Sequence, residues 1–124
     1  MTCVDAIFLI IILDERGIMS KVLSVNDKNF KSEVLESEVP VLVEFGASWC
    51  GPCKKQLPIL KELASELGSG VKVVTVDIDE APEESNYYNV KSIPTIMVFK
   101  DGEQVQDKFL VGLNNLNTLK ALLG

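Results

Sequence analysis

Two cysteines, Cys50 and Cys53, are separated by two residues at the point where an apolar segment gives way to a predicted helix. Residues 41–47 are apolar except at Glu44, which predicts a strand covered by helices on both faces. Residues 50–67 place apolar side chains at helical spacing and are followed by two glycines that end the helix. A buried strand leading directly into a helix is typical of an α/β domain.

The same alternation of strands and helices continues along the chain. Strands are predicted at 21–25, 41–47, 71–78, 95–99 and 104–110, and helices at 26–38, capped by Asn26 or Asp27, at 50–67, after Pro82, and after a cap at Asn114 or Asn115. Asp101-Gly102 between the last two strands predicts a two-residue hairpin, whereas the earlier strands are joined by helices. We therefore expect one α/β domain with a mixed sheet.

Length and charge exclude several classes of function. A chain of 124 residues has room for one domain and buries enough surface to fold without disulfide staples. Its net charge of −6 argues against binding nucleic acid, which requires a basic face, and against a polybasic membrane surface.

The cysteine and histidine counts limit the chemistry further. With three cysteines and no histidine, neither a Cys/His zinc site nor a four-thiolate zinc site can be assembled, so no metal is expected. Cys50 and Cys53 are then either inert core thiols or a redox pair. Their position at a helix start, after an aromatic residue and before a lysine, favours the redox pair.

The spacing of the two thiols suits disulfide exchange. Residues three apart at a helix start can close a disulfide with little backbone movement. A thiolate at Cys50 would lie beside unpaired backbone N–H groups and the positive end of the helix dipole. Cys53, one turn further in, is expected to be less exposed and to keep its proton longer. Pro52 suits the first helical turn, and Gly51 lets another chain approach Cys50.

From residue 19 to residue 124 the sequence closely resembles the thioredoxin family. The motifs are Ala47-Ser48-Trp49-Cys50-Gly51-Pro52-Cys53-Lys54, the helix proline Pro58, Ile93-Pro94-Thr95, Phe99-Lys100-Asp101-Gly102 and Val111-Gly112. The resemblance implies the thioredoxin fold, a five-stranded mixed sheet flanked by four helices. It also implies a cis Ile93–Pro94 peptide facing the cysteines, and a substrate-contact rim formed by Trp49, Gly51, Pro52, Ile93, Pro94 and Gly112.

The resemblance also implies an activity, the reduction of protein disulfides. Cys50 would attack a substrate disulfide, Cys53 would resolve the mixed disulfide, and a thioredoxin reductase would restore the dithiol without any bound cofactor. A cytoplasmic monomer is expected. An oxidising or isomerising relative, and a docking module without turnover, are the alternatives, and the Gly-Pro pair between the cysteines favours the reducing branch.

Two positions depart from the family pattern. Many members carry a buried aspartate, which helps proton transfer at the second cysteine, where this chain has Glu44, and the position that often holds a partnering lysine is Thr75. The apolar neighbours of Glu44 favour a buried carboxyl over a solvent-facing one. A buried carboxyl without a cation has a raised pKa, which suits proton transfer near neutrality.

Residues 1–18 differ from the rest of the chain. The apolar run 6–13 is too short to span a bilayer, and the acidic residues on both sides of it do not fit a secretory signal. We interpret 1–18 as an extension of unknown role, either dispensable or pairing with a sheet edge, and 19–124 as the domain. Cys3, within the extension, is an isolated thiol that could cross-link dimers.

Overall fold

A computed structural model describes residues 21–124 and contains a five-stranded mixed sheet with the strand order β1-β3-β2-β4-β5. The strands are β1 (Val22–Val25), β2 (Val41–Gly46), β3 (Lys72–Asp77), β4 (Thr95–Lys100) and β5 (Glu103–Val111). β1, β3 and β2 are parallel, whereas β4 pairs antiparallel with both β2 and β5. The expected fold class is confirmed. The predictions for residues 1–18 and for Cys3 lie outside the described part of the chain.

Helical segments cover both faces of the sheet. They are a short π-helical segment (Lys31–Leu35), α1 (Gly51–Leu67), a 3₁₀ turn (Gly68–Gly70), α2 (Pro82–Tyr87) and α3 (Leu116–Leu123). On one face, Phe30, Val34 and Ala81 pack against a core that includes Phe45 and Phe99. On the other face, α1 and α3 pack against a second core.

The second core contains Leu42 from β2, Leu60 from α1 and Leu119 from α3, all fully buried. Successive side chains of a strand point to opposite faces, so Glu44 lies on the same face as Leu42. The carboxyl therefore faces the side of the sheet that α1 covers, where the two cysteines lie.

The hairpin between β4 and β5 has the predicted turn. Asp101 and Gly102 have φ values of 54° and 83°, as in the two-residue turn that matches the twist of paired strands. The pairing then shifts, since Phe99 lies opposite Gln104 but Met97 lies opposite Phe109. The extra residues of β5 make this edge strand irregular, a feature that discourages pairing with another chain.

The helix predicted at 26–38 is shorter than expected. Asn26 does cap the turn, because its Oδ1 accepts hydrogen bonds from the backbone N–H of Lys28 (2.9 Å) and Asn29 (3.3 Å). Regular helix ends by Leu35, and the Glu36 N–H bonds to the Lys31 carbonyl, five residues back. Ser37 then bonds to the backbone of Val39, and this local turn replaces the last helical turn.

Candidate redox site

Cys50 caps the N-terminus of α1. Its backbone is extended (φ −90°, ψ 115°), and its Sγ accepts a hydrogen bond from the backbone N–H of Cys53 over 3.2 Å. Pro52 occupies the first turn, where a missing N–H costs no helical hydrogen bond. The sulfur of Cys50 therefore lies at the positive end of a helix of 17 residues, where a negative charge on it is stabilised.

Cys50 and Cys53 are joined by a disulfide, with their Cα atoms 5.2 Å apart. Both residues are buried, and they pack with Ala47, Ile78 and Ile93. Gly51 and Pro52 between them are exposed. An approaching chain therefore meets the exposed first turn of α1 before it reaches the two buried cysteines.

Trp49 is held in place beside the cysteines while remaining largely exposed. Its side chain is 64% exposed, and its Nε1 donates a hydrogen bond to Asp79 Oδ2 over 2.8 Å. The Asp79 backbone N–H in turn donates to Asp77 Oδ1 over 2.8 Å. An exposed aromatic ring fixed in this way can contact a partner at little conformational cost.

The loop that precedes β4 lies against the disulfide. The Ile93–Pro94 peptide is cis, as the resemblance implied. Ile93 is half-buried against the cysteines, whereas Pro94 itself is buried. The Gly112 N–H donates to the Pro94 carbonyl over 2.7 Å, so the half-buried Gly112 is tied to the same loop.

Glu44 lies on the central strand β2 and is buried, as predicted, with 4% of its surface exposed. It lies beside Thr75 of β3 and Ile96 of β4, and among residues 21–124 no group forms a hydrogen bond with its Oε2. Burial raises the pKa of Glu44 from 4.5 to about 7. The carboxyl can therefore both accept and release a proton near neutral pH.

Gly46 separates the Glu44 carboxyl from the sulfur of Cys53. A Cβ at Gly46 would lie 3.0 Å from Cys53 Sγ and 3.1 Å from Glu44 Oε2. These residues border an open cavity of about 220 Å³, which Lys54, Thr75 and other residues also line. The carboxyl and the inner sulfur thus face the same small space, which is large enough for water.

The structure brings the predicted site residues to one end of the sheet. Two residues that the sequence reading missed also take part, Asp79 as the acceptor for Trp49 and Gly46 as the spacer beside Glu44. An isolated glycine inside a predicted strand signals a close approach of another group, and that signal was available for Gly46. The partner of Trp49 lies 30 residues away and left no local signal.

Residues 21–124 contain no group of three or more His, Cys, Asp or Glu side chains placed to hold a metal ion. Nor does any helix between residues 21 and 124 have the length and apolar character needed to cross a membrane.

Comparison with known proteins agrees with this geometry. The family model described as Thioredoxin matches residues 21–124. A thioredoxin of Rickettsia prowazekii is 51% identical over 96 residues, which cover 77% of this chain and 90% of that protein. "Thioredoxin 1" of Synechococcus elongatus is 51% identical over 87 residues, covering 70% and 81%. "Thioredoxin 1" of a Nostoc species is 45% identical over 105 residues, covering 85% and 96%.

Proposed function

Because the chain belongs to the thioredoxin family and is a thiol–disulfide oxidoreductase, we propose that it reduces disulfides of other proteins. The observation that carries this proposal is the position of Cys50, whose sulfur caps α1 and is linked by a disulfide to Cys53. Thiolate is the attacking species in disulfide exchange, and a helix N-terminus favours thiolate.

The first step is the attack of Cys50 on the substrate. The Cys50 thiolate forms a bond to one sulfur of the substrate disulfide, and the other substrate sulfur leaves as a thiolate that takes a proton from water. The product is a mixed disulfide between Cys50 and the substrate. Cys50 is assigned this role because its sulfur lies at the N-terminal end of α1, next to the exposed Gly51 and Pro52 of the first helical turn.

The second step is the attack of Cys53 on Cys50. The Cys53 thiol gives its proton to the Glu44 carboxylate, directly or through one water, and the resulting thiolate bonds to the Cys50 sulfur. The bond between Cys50 and the substrate breaks, and the substrate leaves as a thiolate that is then protonated. The substrate has gained two electrons, and the Cys50–Cys53 disulfide has formed. The shared space beside Gly46 supports the assignment of Glu44.

The substrate chain is proposed to bind across Trp49, Gly51, Pro52, Ile93, Pro94 and Gly112. The first three lie on the exposed side of the disulfide, and the others belong to the loops that the Gly112–Pro94 hydrogen bond ties together. Pro94 is buried, so its contribution is to shape the loop and to orient the backbone before it.

The protein needs a second partner to turn over. Each cycle leaves the cysteines oxidised, and we propose that a thioredoxin reductase supplies two electrons to restore the dithiol. We further propose that the protein is a cytoplasmic monomer that transfers electrons and maintains cell redox balance. The acidic sequence agrees with this, and in the reducing cytoplasm disulfides are mostly catalytic rather than structural. We also propose that residues 19–124 suffice for this activity, because all the assigned site residues lie within them.

Reduction of insulin disulfides by dithiothreitol tests the main proposal. The full chain should accelerate the reaction, Cys50→Ser should abolish the acceleration, and a chain starting at Met19 should retain it. Lys61→Ala, an exposed substitution on α1, serves as the control and should behave as the wild type. No acceleration by the full chain would contradict the reductase assignment and favour a docking role.

A stopped-flow experiment tests the role of Glu44. With a small aromatic disulfide as substrate, formation and resolution of the mixed disulfide are followed separately from pH 6 to 9. Glu44→Gln should slow the resolution by Cys53 by about 100-fold, the lower end of the range for general acid–base catalysis, and leave the attack by Cys50 little changed. Wild-type rates for both steps across this pH range would remove Glu44 from the mechanism.

A further inference from the structure

Gly46 lies between the two groups that exchange the proton, and the geometry points to a function for its missing side chain. We infer that Gly46 is a positioning residue for the resolving step, because the Glu44 carboxyl and the Cys53 sulfur both border the space that a side chain at position 46 would occupy. This inference rests on the proton transfer proposed for Glu44. It concerns a residue that contributes no functional group of its own.

The clearances show how closely the three residues fit. A Cβ at Gly46 would approach Cys53 Sγ to 3.0 Å and the two oxygens of Glu44 to 3.1 and 3.2 Å. Each of these distances is shorter than an ordinary van der Waals contact, for which a separation of about 3.5 Å or more is typical. An alanine would therefore have to displace the carboxyl, the sulfur or both.

Space, rather than backbone conformation, is the reason for glycine at this position. Gly46 ends the regular strand β2, and its φ lies outside the left-handed region that favours glycine. Four other glycines, Gly68, Gly102, Gly112 and Gly124, do adopt positive φ values. The requirement at position 46 thus comes from the neighbouring side chains and not from the chain path.

The length of the acid at position 44 explains why so much space is needed. A glutamate carries its carboxyl one methylene further from the backbone than an aspartate does, so the carboxyl of Glu44 extends over Gly46. A shorter acid would withdraw from this space and relieve the two contacts between an added Cβ and the carboxyl, while the contact with Cys53 Sγ would remain. Positions 44 and 46 should therefore be coupled, and a change at one should be compensated by a change at the other.

The surroundings of the carboxyl contain few other charges. The cavity that joins Glu44 to solvent is lined by Lys54 of α1 and Asp77 of β3, together with the uncharged Ser24 of β1 and Thr75 of β3. On the other side, β4 places Ile96 beside Glu44. Because Gly46→Ala leaves Lys54 and Asp77 unchanged, a shift in the pH profile would report the geometry of Glu44 and Cys53.

The experiment compares Glu44→Asp, Gly46→Ala and the double variant in the full chain. The rate constant for resolution of the mixed disulfide is measured by stopped flow from pH 6 to 9. Gly46→Ala should slow resolution by about tenfold, because a neighbour must move by a few tenths of an ångström and a misplacement of about 1 Å can cost about 100-fold, and it should move the inflection of the pH profile. The attack by Cys50 serves as the internal reference and should change less than about twofold.

Compensation is the decisive result. The double variant Glu44→Asp/Gly46→Ala should lose less rate than the product of the two single losses, because the shorter acid relieves two of the three close contacts of the added Cβ. Gly70→Ala is the matched control, because a Cβ there meets no atom within 4 Å, and it should keep wild-type rates. Should Gly46→Ala fail to fold, the double variant must still fold, and failure of both would overturn the inference.

The outcomes separate this inference from the proposal on which it rests. Wild-type rates of mixed-disulfide resolution in Glu44→Gln would contradict the proposed proton transfer from Cys53 to Glu44. Slow resolution in Glu44→Gln, together with an unchanged rate and pH profile in Gly46→Ala, would overturn only the role of Gly46. A double variant that shows the multiplied losses of both single variants would likewise overturn the coupling between the two positions.

Discussion

The side-chain amide of Gln56 forms two hydrogen bonds with the backbone of Asn114, its Nε2 donating to the carbonyl and its Oε1 accepting from the N–H, both over 2.9 Å. Gln56 is fully buried on α1, and Asn114 lies two residues after Gly112. A single side chain thus satisfies both backbone groups of a loop residue and joins the redox helix to the loop that is tied to Pro94.

Replacing this amide should destabilise the fold. Gln56→Leu keeps the volume but leaves both backbone groups of Asn114 without a partner, and we expect the free energy of unfolding to fall by about 2 kcal/mol. Urea denaturation measures the change. Gln106→Leu, on the exposed part of β5, is the control and should alter the stability by less than about 0.5 kcal/mol. Equal stabilities of the two variants would contradict the prediction.

The hydrogen bond between Trp49 and Asp79 should support substrate binding. Asp79→Ala removes the acceptor and frees the exposed ring, and we expect kcat/KM for insulin reduction to fall about fivefold, which corresponds to about 1 kcal/mol. Asp79→Asn keeps an acceptor oxygen and should behave as the wild type. Trp49 is the only tryptophan, so its fluorescence reports the loss of the bond directly. Unchanged kcat/KM and emission in Asp79→Ala would refute this role.

Asp27 should stabilise a helix that is distant in sequence. Its Oδ2 and Oδ1 accept hydrogen bonds from the backbone N–H groups of Glu83 (3.2 Å) and Glu84 (3.1 Å) in the first turn of α2. Asp27→Ala should lower the free energy of unfolding by about 1 kcal/mol, as for the loss of a helix cap. Asp27→Asn retains one acceptor and should lose less. A lower melting temperature for Asp27→Asn than for Asp27→Ala would be inconsistent with capping.

The buried carboxyl of Glu44 should make the stability of the oxidised protein depend on pH. Its pKa is raised to about 7 in the folded protein from 4.5, so the folded state holds this proton more tightly than the unfolded state. The resulting stabilisation is fully present below pH 4.5 and is lost as the pH rises through 7. A difference of this size between the two pKa values corresponds to about 3 kcal/mol.

Glu44→Gln removes this dependence and provides the test. The stability of the variant relative to the wild type should rise by about 3 kcal/mol between pH 4.5 and pH 8, measured by urea denaturation of the oxidised proteins. Glu103→Gln, an exposed substitution at the start of β5, should leave the wild-type pH dependence unchanged. A difference between Glu44→Gln and the wild type that stays constant with pH would refute the prediction.

Local sequence patterns predicted most of the fold. The structure agrees with the predicted order of strands and helices and with the predicted turn at Asp101-Gly102. It also has the predicted cap at Asn115, whose Oδ1 accepts a hydrogen bond from the Thr118 N–H over 2.9 Å. Each of these features depends on residues within a few positions of one another. The burial of Glu44 also followed from its apolar neighbours in β2.

The features that were missed depend on contacts between distant residues. Asp27 was considered as a cap for the helix beginning beside it, yet its carboxyl caps α2, 56 residues away. Asp79 likewise owes its role to a side chain 30 residues away, whereas the role of Gly46 depends on the nearby Glu44 and Cys53 and could have been suspected from an isolated glycine in a strand. The length of the helix after Asn26 was overestimated, because its apolar spacing continues beyond the point where Ser37 forms a competing local turn.

The position of Cys50 as the cap of α1 has a thermodynamic consequence. The folded and unfolded chains, each with the cysteines oxidised or reduced, form a closed cycle of four states. Any group that stabilises the start of α1 more in the dithiol than in the disulfide therefore shifts the reduction potential of the pair by an equivalent amount. The direction in which electrons flow to a partner is thus set partly by how well one helix is capped.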